Sequence, residues 1–123
     1  MKKVFIIDDN LVLLKLYEKI LTRAGYEVGL LQNSAEYDNG DLKAFEPDLI
    51  ILETSMDHLD GYSLLERLKE NDLCVDSKKM MCSAKVLFEQ DKKIAIDLGV
   101  DGFVVKPFDA STLIEAVKAK IGI

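Results

Sequence analysis

Four consecutive large apolar residues, Leu49-Ile50-Ile51-Leu52, stand between Pro47-Asp48 and Glu53. A β-strand points successive side chains to opposite faces, so an unbroken apolar run needs burial on both. That requirement excludes a half-solvated antiparallel sheet and asks for helices on either side. Other largely apolar runs recur along the chain: Val4-Phe5-Ile6-Ile7, Tyr26 to Leu31, Lys79 to Ser83, and Phe103-Val104-Val105.

The segments between these runs carry helical spacing. Leu11 to Ala24 places Leu13, Leu16, Tyr17, Ile20 and Ala24 on one face, and Gly25 supplies a left-handed stop. Asn33 to Glu46 holds the turn signal Asn39-Gly40, which predicts a short or broken helix. Gly61 to Glu70 predicts a helix with Leu64, Leu65 and Leu68 inward. Leu87 to Leu98 predicts another, ended by Gly99, with Ile94, Ala95 and Leu98 inward and Ile96 off that face. Asp109 is a natural N-cap for a last helix burying Ala110, Leu113, Ile114, Val117 and Ile121.

Five buried strands alternating with five helices imply an α/β fold with a parallel sheet between two helical layers. Right-handed crossovers leave few topologies, and the flavodoxin-like (βα)5 order 2-1-3-4-5 is the one expected at this size. A length of 123 residues suits one domain over 1–123. The last helix runs out at Ile121-Gly122-Ile123, so no effector domain is expected.

Composition excludes some functions. Asp and Glu number 22 against 16 Lys and Arg, a formal net charge of −6. Direct binding to nucleic acid or an anionic membrane is disfavoured by that balance. The apolar stretch behind Met1-Lys2-Lys3 is too short for a secretory signal, and no stretch could span a bilayer. A cytoplasmic location is expected. Cys74 and Cys82 lack metal or redox spacing, and Cys82 reads as a buried core thiol.

In open α/β sheets, function collects at the carboxyl ends of the strands. Those ends carry Asp8 and Asp9 after the first strand, Glu53 after the third, Ser83 after the fourth and Lys106 after the fifth. Each alone has an ordinary reading, as a solvated cap or surface pair. Together they put three carboxylates, a hydroxyl and an ammonium in one cleft. Clustered carboxylates raise one another's pKa unless a cation sits among them, and Mg²⁺ suits an all-oxygen site.

At this point the chain resembles a known family along its whole length. The matching pieces are Asp8-Asp9, Pro47-Asp48-Leu49-Ile50-Ile51-Leu52, Asp60-Gly61, Ser83-Ala84, Gly99 with Phe103, and Lys106-Pro107-Phe108. In that order they resemble the response-regulator receiver domain of two-component and phosphorelay signalling. The resemblance implies that Asp8, Asp9, the acceptor position 53 and the Ser55 backbone carbonyl hold Mg²⁺. It implies that Ser83 and Lys106 contact a phosphoryl group, and that Phe103 is a switch aromatic coupled to Ser83. The implied partners are a sensor histidine kinase or phosphotransfer protein and an output partner, docking on the fourth helix, fifth strand and fifth helix. Lys106-Pro107 is often a cis peptide in such domains.

Two departures stand out. Glu53 occupies the acceptor position in place of Asp, and Asp57 stands where the family usually has Pro. A Glu carboxyl reaches roughly 1.5 Å further than that of Asp. About 1 Å of misplacement can already cost on the order of a hundredfold in rate. Glu53 therefore either blocks phosphorylation or imitates the phosphorylated state; the alternative is a phosphorylation-independent interaction module. No enzymatic turnover is expected beyond self-phosphorylation. A haloacid-dehalogenase-like phosphatase would need an acid where Asn10 stands, and an FMN binder would need a Ser/Thr/Gly-rich loop in place of Asp8-Asp9-Asn10.

Overall fold

A computed structural model of the chain describes residues 1–83, 89–106 and 108–123. The strands are β1 (Lys3–Ile7), β2 (Glu27–Leu31), β3 (Leu49–Glu53), β4 (Lys78–Ser83) and β5 (Gly102–Val105). The helices are α1 (Leu11–Arg23), α2 (Asp41–Phe45), α3 (Gly61–Glu70), α4 (Glu89–Asp97) and α5 (Ala110–Ile121). All strand pairs are parallel and the sheet order is β2-β1-β3-β4-β5, as the apolar runs predict.

The period-2 geometry of the strands divides the interior into two cores. Phe5, Ile7, Ile50, Leu52 and Met81 face one way and pack with Leu64, Leu65 and Leu68 of α3 and Ala95 of α4. Val4, Ile6, Leu49, Ile51, Met80, Cys82 and Val104 face the other way, against Leu14, Tyr17 and Leu21 of α1 and Leu113 and Val117 of α5. Every residue of β3 is buried, the outcome its unbroken apolar run requires. Each fully buried Leu or Ile contributes roughly 1.5–3 kcal/mol, so the central strand anchors both layers.

Local signals set the boundaries. Asn10, Asp60 and Asp109 cap α1, α3 and α5 by accepting from the Leu13, Ser63 and Thr112 amides. The segment between β2 and β3 is indeed broken. A single 3-10 turn at Ser34–Glu36 is followed by the bend at Asn39, and Gly40 takes a φ of 100° before α2 begins.

Four expected burials are corrected, the first being Val105, which is 50% exposed on the edge strand β5. Leu16 is 44% exposed, because α1 turns Leu14, Tyr17 and Leu21 inward and Leu16 lies off that face. Ala110 is exposed, being the first residue of α5. Ile94 is 51% exposed, since α4 meets the core only through Ala95 with Leu98 partly buried behind it. The expected start of the fourth helix at Leu87, Ala84, and the Lys106–Pro107 peptide lie outside the described residues. No described helix is long and apolar enough to cross a membrane.

Candidate functional site

Strand register brings the site together. Ile7 pairs with Leu52, Glu53 with Cys82, and Ser83 with Val105. Asp8 and Lys106 directly follow β1 and β5, while Glu53 and Ser83 end β3 and β4. The four therefore reach one rim, with Asp8 only 1% and Glu53 7% exposed.

Lys106 is the hub. Its Nζ donates to Asp8 Oδ2 at 3.0 Å and also to Glu53 Oε2. The free oxygen of each carboxylate is held from its own loop. Glu53 Oε1 accepts from the Thr54 amide at 3.0 Å, the Thr54 hydroxyl at 3.1 Å and the Ser55 amide at 3.4 Å. Asp8 Oδ1 accepts from the Asn10 amide at 2.9 Å.

Burial pushes Asp8 above the usual carboxylate range, although the Asn10 amide and Lys106 pull it back. Burial lowers Lys106, but Glu53 and Asp8 more than offset this and hold the ammonium above its ordinary value. Opposite charges that share a dry cleft stabilise each other's charged forms, which is why Lys106 is held as the ammonium. Ser83 is buried at the same rim, and its carbonyl accepts from the Lys106 amide at 2.7 Å. Phe103 is half-buried against the core cluster on the α3 and α4 side of the sheet.

Asp9 does not join this group as the sequence suggests. Its Oδ2 accepts from the Asp57 amide at 3.0 Å, so the carboxylate is drawn to the loop between β3 and α3. Among the described residues no three acidic, His or Cys side chains converge to hold a metal ion. The donor chemistry suits Mg²⁺, which prefers several oxygens in near-octahedral array. The placement does not: Lys106 sits between two of the carboxylates, and the third is engaged elsewhere. In this arrangement the residues do not fit the ion.

Sequence reasoning missed Thr54 and the Asp57 amide. A hydroxyl directly after an acceptor carboxylate, and a non-proline in the loop below it, were the available signals. Gly61 is a further positioning residue. Its amide donates to the Thr54 carbonyl at 3.0 Å, and a Cβ there would lie 2.5 Å from the Glu53 carbonyl oxygen. Only glycine lets α3 approach the end of β3 so closely. Ser34 clamps the same loop, donating to the Leu59 carbonyl at 2.7 Å and accepting from its amide at 3.0 Å. Cys82 is a core thiol as expected, and burial pushes it up to about 11.

Comparison with known proteins places this geometry. Residues 4–118 match the response regulator receiver domain. Chemotaxis protein CheY of Bacillus subtilis is 32% identical over 121 residues, covering 94% of this chain and 93% of its own length. The DNA-binding dual master transcriptional regulator RpaA of Synechocystis is 31% identical over 121 residues. The match covers 97% of this chain but 48% of RpaA, so the chain spans about half of that regulator. A CheY-like receiver domain structure from Methanospirillum hungatei superposes with a TM-score of 0.86 at 23% identity. That superposition covers 98% of this chain and 94% of the other. With the strand order, the acidic rim and the matched span in agreement, the chain belongs to the response regulator receiver domain family.

Proposed function

We propose that this chain is a receiver-type signalling module in which Glu53 takes no phosphoryl group and the cleft is held by its own ion pair. The carrying observation is the commitment of Glu53: one oxygen lies on Lys106 and the other on the Thr54 and Ser55 donors. A nucleophilic carboxylate must offer a lone pair in line with the phosphorus. An oxygen shared with an ammonium is poorly nucleophilic, and the other is turned into the loop. Lys106, which would neutralise an incoming phosphoryl group, is already neutralising Glu53 and Asp8.

Receiver domains as a family work with kinases, phosphotransfer proteins and output partners, and bind Mg²⁺ at an acidic pocket. For this chain, Mg²⁺ at Asp8, Asp9, Glu53 and the Ser55 carbonyl would compete with Lys106, so weak binding is expected. Ser83 and Phe103 are the proposed switch pair. The proposed partner face is α4, β5 and α5, supported by Ile96 at 57% and Val105 at 50% exposure, beside the equally exposed Ile94. Exposed apolar residues that gather into a patch mark interaction surfaces. The phosphatase alternative gains no support, because the Asn10 side chain is used as the cap of α1.

Incubation with acetyl phosphate and Mg²⁺, followed by intact mass, tests the reading. The unaltered protein should gain nothing, and Glu53→Asp should gain one phosphoryl group as acetate leaves. Uptake by the unaltered protein at a rate similar to Glu53→Asp would overturn it.

A further inference from the structure

We infer that the chain closes this cleft to divalent cations itself, and that its two unusual residues, Glu53 and Asp57, do so together. This deepens the functional reading above and rests on it. Glu53 acts through its length. Its carboxylate reaches Lys106 Nζ, which also holds Asp8 at 3.0 Å, so an ammonium occupies the space between the two carboxylates. Asp57 acts through its backbone. Its amide donates to Asp9 Oδ2 at 3.0 Å, and a proline at this position would have no N–H to donate.

The arrangement is self-consistent in its hydrogen bonds. Asp8 and Glu53 share one ammonium, and each has its second oxygen on backbone amides. Asp9 is satisfied from a different element. A divalent ion entering here must displace the ammonium, draw Asp9 away from the loop to which the Asp57 amide holds its Oδ2, and dehydrate, each of which opposes binding. Either residue alone would leave part of the donor set available: a shorter carboxylate would release Lys106, and a proline would release Asp9. Two positions with no hydrogen bond or ion pair between them should therefore cooperate, through the shared occupancy of one cleft.

Mn²⁺ binding, followed by paramagnetic broadening of the amide signals at residues 8–10 and 53–55, tests this in the full chain. The unaltered protein should bind weakly. Glu53→Asp and Asp57→Pro should each tighten binding by about threefold, and the double variant by about thirtyfold, beyond the roughly ninefold of two independent effects. Asp57→Ala keeps the amide and should not tighten it. Tightening by Asp57→Ala equal to that by Asp57→Pro would assign the effect to the lost charge and overturn the amide's role. Binding by the unaltered protein as tight as by the double variant would overturn the whole inference. Should Asp57→Pro fail to fold, hydrogen exchange decides the amide half. The Asp57 amide should be protected in the unaltered protein and lose protection in Asp9→Ala; an amide unprotected in both refutes it. The readout is metal binding alone, so phosphate uptake by the unaltered protein would defeat the functional reading without mimicking any of these results.

Discussion

Lys106 and Lys79 stand at opposite ends of the sheet, are similarly half-buried, and are used in opposite ways. Lys106 meets two carboxylates, Asp8 and Glu53. Lys79 meets two neutral carbonyls, those of Cys74 at 2.8 Å and Ser77 at 2.9 Å. Burial lowers both ammonium groups. At Lys106 the carboxylates more than reverse it, whereas at Lys79 burial prevails over the weaker pull of Cys74, Asp101 and Asp76. The lower lysine closes the loop before β4, where Asp72 and Cys74 adopt positive φ. Burial of a lysine therefore says little about its role; the charge of its partners separates a structural clamp from a charged site.

The largest expected effect sharpens that contrast. Lys106→Met leaves Asp8 and Glu53 buried beside each other without a counter-charge, which should destabilise the fold by about 3 kcal/mol at neutral pH. Urea unfolding measures it. The loss should shrink as pH falls, because Asp8, already raised by burial, then takes up its proton. A loss independent of pH would mean that packing of the lysine stem, not charge, is what the substitution removes.

Lys79→Met should move stability by no more than about 1 kcal/mol at neutral pH, since two lost hydrogen bonds oppose the relief of a buried charge. The alkaline slopes should differ in sign. Lys79 has a folded pKa below its ordinary 10.5, so the unfolded chain binds the extra proton. Its contribution therefore rises with pH between the folded value and 10.5. Lys106 has a folded pKa above 10.5; its contribution is complete below that value and is lost as pH rises through the folded pKa. Comparing each variant with the unaltered protein between neutral and alkaline pH isolates the two slopes, and slopes of the same sign would break the comparison.

The upper end of the sheet was far more legible in the sequence than the lower. The unbroken apolar run 49–52 demanded burial on both faces, and that alone forces helices on each side. Asp8, Glu53, Ser83 and Lys106 could be placed on one rim because strand ends are marked by the last apolar residue. Contacts running through the backbone were not legible. The Asp57 amide and the Ser34–Leu59 clamp depend on how two loops meet; a non-proline at position 57 permits the first contact, but residue type does not name its acceptor. The face of α3 was legible, with Leu64, Leu65 and Leu68 buried, whereas that of α1 was legible only in part. Leu13, Leu14, Leu16, Ile20 and Leu21 are all apolar, so the pattern in α1 does not single out which of them turns inward.

The smallest expected effect tests whether the Lys106 end is a network or a lone ion pair. The Thr54 hydroxyl donates to Glu53 Oε1 at 3.1 Å and is buried, while Lys106 binds the other oxygen of that carboxylate. Thr54→Val keeps the shape and removes the donor. The carboxylate retains the amides of Thr54 and Ser55, so the cost should be no more than about 1 kcal/mol. In a Glu53→Asp background the shorter carboxyl is drawn away from that hydroxyl, and the same substitution should cost close to nothing. The difference between the two costs is the coupling of Thr54 to Glu53. Equal costs in the two backgrounds would mean that Thr54 only packs. The reach of Glu53 to Lys106 would then owe nothing to the loop that follows β3.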